Sequence, residues 1–169
     1  MKYGILIYPS REIQDRANAL RKRYDSHYSL IPPHVTIVDP FEWEYDKELI
    51  DRIERVVQTT PPFSLKLNKV GTFLPISPVV YFGFEKNDSI HELHENLTES
   101  ILDHGPKFKF TPHLTIAQDL PEQELHDILG RLKMKENDLE VLVDRVHLCY
   151  QLENGSWTVY QTFLLKGNA

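Results

Sequence analysis

Two stretches of six residues, 79 residues apart, are nearly identical: PPHVTI at Pro32–Ile37 and TPHLTI at Thr111–Ile116. Each contains a histidine and a threonine two positions apart, just behind a proline. In a β-strand, residues two apart project from one face, and the residues between them project from the other. The pattern therefore predicts two strands that each present a histidine and a threonine on one face and bury apolar residues on the other.

The elements around the two stretches follow the same order, β-α-β-α-β, in each half of the chain. Helices are predicted around 11–25, 49–57, 90–101 and 125–132, and strands at 2–9, 34–38, 61–70, 79–84, 113–117, 139–152 and 156–165. In the first helix an apolar stripe is predicted at Ile13, Ala17, Leu20 and Tyr24, with charged residues on the other side. We expect one domain, 1–169, made of repeat halves 1–74 and 78–151 and a closing strand at 156–165.

Composition and charge narrow the class of protein. Of the 169 residues, 41% are hydrophobic and 26% are charged, which is typical of a globular domain. A net charge of -6 argues against a protein that coats duplex nucleic acid. The lone Cys149 excludes an internal disulfide, and no apolar run approaches the ~20 residues of a membrane-spanning helix. The first residues lack a secretory pattern, so we expect a cytoplasmic protein with no membrane partner.

The repeated residue types suit acid-base chemistry on a phosphate. His34 and His113 carry imidazoles, whose ordinary pKa near neutrality lets one act as a base and the other as an acid. The hydroxyls of Thr36 and Thr115 would donate hydrogen bonds to phosphate oxygens. These four residues are the predicted catalytic set, with no metal and no cofactor required. The alternative is that both histidines lie on edge strands, bond nearby backbone and serve the fold alone.

The paired motifs resemble those of the 2H phosphoesterase superfamily, and most closely its YjcG-like bacterial branch. The resemblance covers nearly the whole chain, including the ending LCYQLENGSWTVYQTFLL, which resembles a closing hairpin. It implies an α+β fold of two pseudo-symmetric lobes, each with an antiparallel sheet and outer helices around a central cleft. It also implies metal-independent hydrolysis of a small cyclic or 2′-5′-linked ribonucleotide phosphodiester. By this resemblance His34 is the proton donor and His113 the proton acceptor.

The acidic chain narrows the expected substrate. Family members that act on RNA often have a basic surface beside the motifs, whereas this chain offers scattered candidates at Lys107, Lys109 and Arg145. We therefore expect a small phosphodiester, a nucleotide or a short RNA end rather than long RNA. Lys107 and Lys109 alternate with Phe108 and Phe110, so these lysines either line the mouth of the cleft or form a solvated strand face.

Other histidines offer a weaker alternative. In HELHE, His91 and His94 are about one helical turn apart and could bind a metal together with His104 or Glu95. The spacing is not that of zinc peptidases, so solvated helix histidines are the favoured interpretation.

The remaining candidates are expected to be structural. Three of them are histidines that are expected to be structural or exposed: His27, His126 and His147. His147 would flank the cleft if its strand faces that way. The remaining candidates also comprise a buried, unreactive thiol at Cys149 and four aromatic residues expected in the core rather than under a nucleobase, Tyr8, Phe73, Tyr81 and Trp157.

Three classes of function remain open at this point. The first is the two-histidine phosphoesterase, and the second is a module that binds a nucleotide or phosphorylated metabolite without turnover. The third is a protein-interaction module in which the repeat is only a scaffold. The presence of both imidazoles and both hydroxyls favours the enzyme, because a simple binder has no need for two titrating groups.

Overall fold

The computed structural model describes residues 1–102, 105, 109–135 and 138–168. The strands in this part are β1 Lys2–Ile7, β2 Val35–Glu42, β3 Phe63–Thr72, β4 Val79–Phe84, β5 His113–Gln118, β6 Leu139–Val143, β7 Arg145–Gln151 and β8 Trp157–Leu164. The helices are α1 Arg11–Tyr24, α2 Asp46–Gln58, α3 Asp88–Ile101 and α4 Glu122–Lys133. None of the helices in the described ranges is long and apolar enough to cross a membrane.

The strands form two four-stranded antiparallel sheets. The first has the order β2-β1-β7-β8 and the second has the order β5-β4-β3-β6. This arrangement confirms the predicted α+β class. The sheets do not follow the predicted repeat halves, because β3 of the first half lies in the second sheet and β7 of the second half lies in the first. The single domain and its halves, 1–74 and 78–151, stay predictions.

The strand predicted at 139–152 is wrong as a single element. The chain breaks at Asp144 into β6, which pairs with β3, and β7, which pairs with β1 in the other sheet. The Asp144 carbonyl accepts a hydrogen bond from the Leu165 N–H at 2.9 Å, which secures the crossing point beside the end of β8. The crossing lets one apolar run bury side chains in both lobes.

The two motif strands, β2 and β5, are edge strands of different sheets and contact each other. The first begins at Val35 rather than at the predicted residue 34 and continues to Glu42. The alternating apolar residues are at most 1% exposed: Val35, Ile37, Leu114 and Ile116. Their burial confirms the predicted alternation and leaves the histidines and threonines partly exposed on the opposite faces.

Helices α1 and α3 support the motif strands, because α1 packs against β5 and α3 packs against β2. In α1 the buried stripe is Ile13, Ala17 and Arg21, whereas Leu20 and Tyr24 are only partly buried. The prediction that the charged residues of this helix lie on its solvated side is wrong for Arg21, which is 2% exposed. Its buried guanidinium is accommodated by hydrogen bonds and a carboxylate partner.

The closing hairpin is present as predicted. Strand β8 pairs antiparallel with β7 from Gln151 opposite Trp157 to Arg145 opposite Leu164. In the connecting turn Gly155 has a φ of 89°, a left-handed conformation that glycine adopts without a steric penalty.

Candidate active site

The two motif histidines are held by the same kind of hydrogen bond. The Nδ1 atom of His34 lies 2.9 Å from the carbonyl oxygen of Pro32, and that of His113 lies 2.7 Å from the carbonyl oxygen of Thr111. Because a carbonyl oxygen can only accept, Nδ1 carries the hydrogen in both rings. No described residue bonds Nε2 of either ring. Each neutral imidazole therefore presents an unoccupied nitrogen that can take a proton and later return it.

The surroundings of His34 disfavour its charged form. Burial is the largest influence and lowers its pKa to about 4, and the positive charge of Arg21 and the neighbouring His113 act in the same direction. The Pro32 carbonyl and Asp25 oppose this change. The two motifs lie on strands that meet across the boundary between the sheets, since β2 and β5 contact each other.

The surroundings of His113 are mainly aromatic. The Phe73 ring meets its imidazole edge to face with centroids 4.9 Å apart, and the Tyr81 ring lies 5.3 Å away. Burial lowers the pKa of His113, and the Thr111 carbonyl and Asp39 oppose the change. Phe73 and Tyr81 were expected only to fill the core. The lowered pKa values of both imidazoles favour their neutral forms at pH 7 in the free protein.

A glycine makes room for one of these rings. Gly71, Tyr81 and Thr115 lie in register across β3, β4 and β5, so they share one face of the sheet. A Cβ atom at Gly71 would come within 2.7 Å of the Tyr81 ring. The missing side chain therefore lets Tyr81 lie flat over β3 while its ring stays beside His113. The sequence does not reveal that Tyr81 lies beside the site, because its position there depends on the register of β4 with β5, which the sequence alone does not establish.

The hydroxyls of the two motif threonines have no hydrogen-bond partner among the described residues. Thr36 is in register with Leu6 on β1, and Thr115 is in register with Tyr81 on β4. Both side chains are partly exposed, and no described residue hydrogen-bonds either hydroxyl. Each hydroxyl is thus available to a ligand on the same strand face as its histidine.

His147 flanks the site from the first sheet. It is in register with Leu6, which is in turn in register with Thr36, so the three side chains share one sheet face. Its Nδ1 atom lies 2.8 Å from the Thr162 hydroxyl, and its ring centroid lies 4.9 Å from that of Tyr8. Burial, followed by the charge of nearby Arg145, lowers the pKa of His147.

Cys149 is buried, as predicted. Its sulfur lies 3.7 Å from the Tyr8 hydroxyl, and burial raises the pKa of the thiol to about 11. It packs with Leu6 and Ile31 in a small cluster that Tyr8 and Trp157 border. The high pKa makes this thiol a poor nucleophile at neutral pH.

Two of the predicted basic candidates, Lys109 and Arg145, lie among the described residues. Arg145 is exposed and its Nε atom pairs with Asp144 at 2.9 Å. Lys109 is exposed, and Lys107 lies outside the described residues. An exposed lysine that the sequence did not single out, Lys69, is in register with Gly83 and His113 and shares their sheet face.

The HELHE segment has a structural role. His94 is buried, its Nδ1–H donates to the Ile37 carbonyl at 2.7 Å, and its ring stacks on Phe110 at 3.9 Å. The expectation of a solvated histidine is therefore wrong for His94, because its position in the apolar stripe of α3 carries it into the core. His91 meets the same phenylalanine edge to face at 5.2 Å, and His104 lies outside the described residues.

Two further histidines are exposed, as predicted. His27 is exposed in the α1–β2 loop, and His126 is exposed on α4, 3.5 Å from Glu122. In the described ranges no group of three or more histidine, cysteine, aspartate or glutamate side chains is arranged to hold a metal ion.

Comparisons of sequence identify the family. The family model of the 2′-5′ RNA ligase superfamily matches residues 9–155. A Geobacillus kaustophilus protein named "Putative phosphoesterase GK0864" is 48% identical over 169 residues, covering 99% of this chain and 98% of the relative. An Oceanobacillus iheyensis protein of the same class name is 50% identical over 167 residues, covering 98% of each chain.

Solved structures share the fold at low sequence identity. The Thermus thermophilus protein TT0787 matches with a TM-score of 0.73 and 17% identity over 100% of both chains. Escherichia coli LigT in complex with 3′-AMP matches with a TM-score of 0.73 and 18% identity over 97% of both chains. Because the family model spans most of the sequence and relatives near 50% identity span nearly all of it, the chain belongs to the 2′-5′ RNA ligase superfamily, the 2H phosphoesterases that its paired motifs resemble.

Proposed function

We propose that this protein is a metal-independent phosphoesterase that hydrolyses a small cyclic or 2′-5′-linked ribonucleotide phosphodiester by two-histidine acid-base catalysis. The observation that carries the proposal is the matched pair of imidazoles, His34 and His113, each fixed through Nδ1 and with no described residue bonded to Nε2. The phosphoesterase names of the relatives support the reaction class. Structures of the related LigT with 3′-AMP, NADP+ and ATP support a nucleotide-like substrate.

In the proposed reaction the two histidines act on opposite sides of the phosphorus. The Nε2 atom of His113 takes a proton from water, whose oxygen forms a new bond to phosphorus. The bond from phosphorus to the leaving oxygen breaks, and protonated Nε2 of His34 supplies the proton that this oxygen needs. Each proton transfer typically contributes ~10² to 10⁴ in rate. In the reverse, ligation direction the two roles exchange.

The hydroxyls of Thr36 and Thr115 hold the phosphate between the imidazoles. Each donates a hydrogen bond to a non-bridging oxygen, and these bonds strengthen as negative charge builds up in the transition state. No described residue hydrogen-bonds either hydroxyl, so no existing bond has to break before the phosphate binds. This supports the proposed role.

The neutral imidazoles of the free protein also bear on the alternative of a nucleotide-binding module. With Nδ1–H committed to a carbonyl, a neutral imidazole presents only a lone pair at Nε2, and a lone pair does not attract an anionic oxygen. A site built only to retain phosphate would present donors instead. The arrangement therefore favours proton transfer, with His34 gaining its proton as the anionic substrate approaches and raises its pKa.

The lowered pKa values predict an acidic optimum. The reactive form needs one protonated and one neutral imidazole, and both His34 and His113 have pKa values below the ordinary ~6.5. A plot of kcat/KM against pH should be bell-shaped with its maximum below about pH 6.5, and the maximum of kcat should lie at higher pH because bound phosphate raises the pKa of the donor. Initial rates from pH 4 to 9, with folding checked by circular dichroism, test this. A monotonic rise into alkaline pH would contradict the acid-base pair.

The reaction class is tested with a substrate panel in the presence of EDTA. The panel contains 2′,3′-cyclic mononucleotides, short 2′-5′ and 3′-5′ oligoribonucleotides and non-nucleotide cyclic phosphates. We expect EDTA-resistant turnover of at least one cyclic or 2′-5′-linked member, with products identified by chromatography. Turnover that stops in EDTA and returns with excess Mg²⁺ would refute metal independence. Tight nucleotide binding without turnover would instead support the binding module.

A further inference from the structure

Arg21 holds the segment that leads to the first motif. Its side chain is 2% exposed, and its Nε atom donates to an Asp25 carboxylate oxygen at 2.9 Å. Its Nη2 atom donates to the Ile31 carbonyl at 2.6 Å and lies 3.5 Å from the His27 carbonyl. One buried guanidinium therefore ties the end of α1 to three points of the segment 25–34.

Asp25 connects this segment to the strand of the second motif. Its Oδ1 atom accepts hydrogen bonds from the His27 N–H at 2.8 Å and from the Gln118 side-chain amide at 2.8 Å. The same Gln118 nitrogen lies 3.0 Å from Nδ1 of His27, and the backbones of Asp25 and Gln118 form an isolated parallel β-bridge. Gln118 is the last residue of β5, which begins with His113.

These contacts matter because the two motifs belong to different sheets. His34 precedes β2, so no sheet hydrogen bonds of that strand hold it, and β2 and β5 are not paired with each other. Besides the packing of β2 against β5, the contacts between the segment 25–34 and β5 therefore bear directly on the relative position of the imidazoles. Arg21, Asp25 and Gln118, called the brace below, provide a continuous connection of this kind.

We infer that Arg21, Asp25 and Gln118 are positioning residues of the two-histidine site, which hold the segment before His34 against the strand of His113 and thereby fix the separation of the imidazoles. The expected effect on the rate rests on the proposed function, whereas the expected effect on the position of His34 does not. A displacement of about 1 Å between reacting groups can cost ~10²-fold in rate, so a small loosening of the brace is expected to matter.

The brace also sets the charge around His34. The groups that act on its imidazole are the Arg21 cation and the Asp25 anion from the end of α1, His113 from β5 and the Pro32 carbonyl. Arg21 lowers the pKa of His34 and Asp25 raises it, so the effects of the two charges on this pKa partly cancel. The largest influence on the pKa of His34 is the burial of its imidazole, and this burial depends on the position of the segment 25–34.

Gln118→Leu is the sharpest test of the brace. It removes the amide donor that joins β5 to Asp25 and His27, keeps similar bulk, and leaves the buried Arg21–Asp25 pair intact. We expect the loosened His34 imidazole to gain solvent, so that its pKa in the free protein, followed by NMR titration, rises toward ~6.5. We also expect kcat to fall about tenfold or more with little change in KM and with a melting temperature near that of the wild type.

Gln123→Leu is the matched control, because Gln123 donates a comparable amide hydrogen bond at 3.2 Å to Asp127 on the exposed side of α4. It should leave both the His34 titration and kcat unchanged. A His34 pKa in Gln118→Leu equal to that of the wild type would overturn the inference. If the wild type turns over no substrate, the proposed function fails, and the NMR comparison still decides whether the brace positions His34.

Discussion

Replacing His113 with alanine is expected to lower kcat/KM by ~10² to 10⁴ while leaving the melting temperature within about 4 °C of the wild type. The rate falls because the proton acceptor is lost. The fold should tolerate the change, since the partly exposed imidazole makes its hydrogen bond to Thr111, only two residues away. His34→Ala should behave similarly, and the double variant should be little slower than either single variant, because acid and base act as one unit.

The measurement is initial rate on the best substrate of the panel, together with thermal unfolding of each variant. His126→Ala is the control, because His126 is an exposed histidine on α4 outside the motifs. It should change neither quantity. A parallel loss of activity and melting temperature in His113→Ala would assign a structural role to the residue. An unchanged rate would refute the two-histidine mechanism.

The motif face was predictable because it depends on the geometry of a single strand. Alternation alone places His113 and Thr115 opposite the buried Leu114 and Ile116, whatever the neighbouring strands are. The convergence of the two motifs needed a further step, since the sequence repeat indicates similar elements but does not say which strands pair. In the structure β2 and β5 meet because each is the edge of its own sheet.

Strand pairing explains the main error in the fold. Residues 139–152 form one apolar run in the sequence, but the chain leaves one sheet and enters the other at Asp144. A charged residue within such a run was the available signal, and it is weak because a polar residue also fits the exposed face of an uninterrupted strand. Sheet exchange is a property of long-range packing that local periodicity does not contain.

The aromatic contacts of His113 were missed for a different reason. Phe73 follows β3 in a turn-rich stretch, and its position beside His113 is set by the course of that loop. Composition indicated a loop there but not where the loop would carry the phenylalanine. The low pKa values of the motif histidines were equally unpredictable, because burial is a property of the folded site.

Arg21 shows how a charged residue can occupy a core position. It lies in the stripe of Ile13 and Ala17, one turn beyond the alanine, where periodicity calls for an apolar side chain. A guanidinium is tolerated there because Asp25 and backbone carbonyls satisfy it. The sequence pairs Arg21 with Asp25 at a spacing of four residues, which is also common in exposed helix pairs.

Arg21→Met is therefore expected to lower the free energy of unfolding by about 3 to 5 kcal/mol. Methionine can fill much of the space, but it leaves the carboxylate of Asp25 buried without a cation and the Ile31 carbonyl without its donor. The double variant Arg21→Met/Asp25→Asn should recover a large part of the loss. Its neutral amide oxygen can still accept from the His27 N–H and from Gln118, while no unpaired charge remains buried.

Urea unfolding at pH 7 measures these differences, provided that the slope with denaturant stays constant among the variants. Arg52→Met is the matched control, because Arg52 likewise pairs with a carboxylate four residues away, Glu48 at 2.7 Å, and donates to a backbone carbonyl, that of Ser100 at 2.7 Å. The side chains of that pair are 36% and 52% exposed, against 2% for each partner of the Arg21 pair, and exposed ion pairs contribute ~0 to 1 kcal/mol. Equal losses in Arg21→Met and Arg52→Met would show that burial adds nothing to the Arg21 pair. A double variant no more stable than Arg21→Met would show that the uncompensated carboxylate is not the source of the loss.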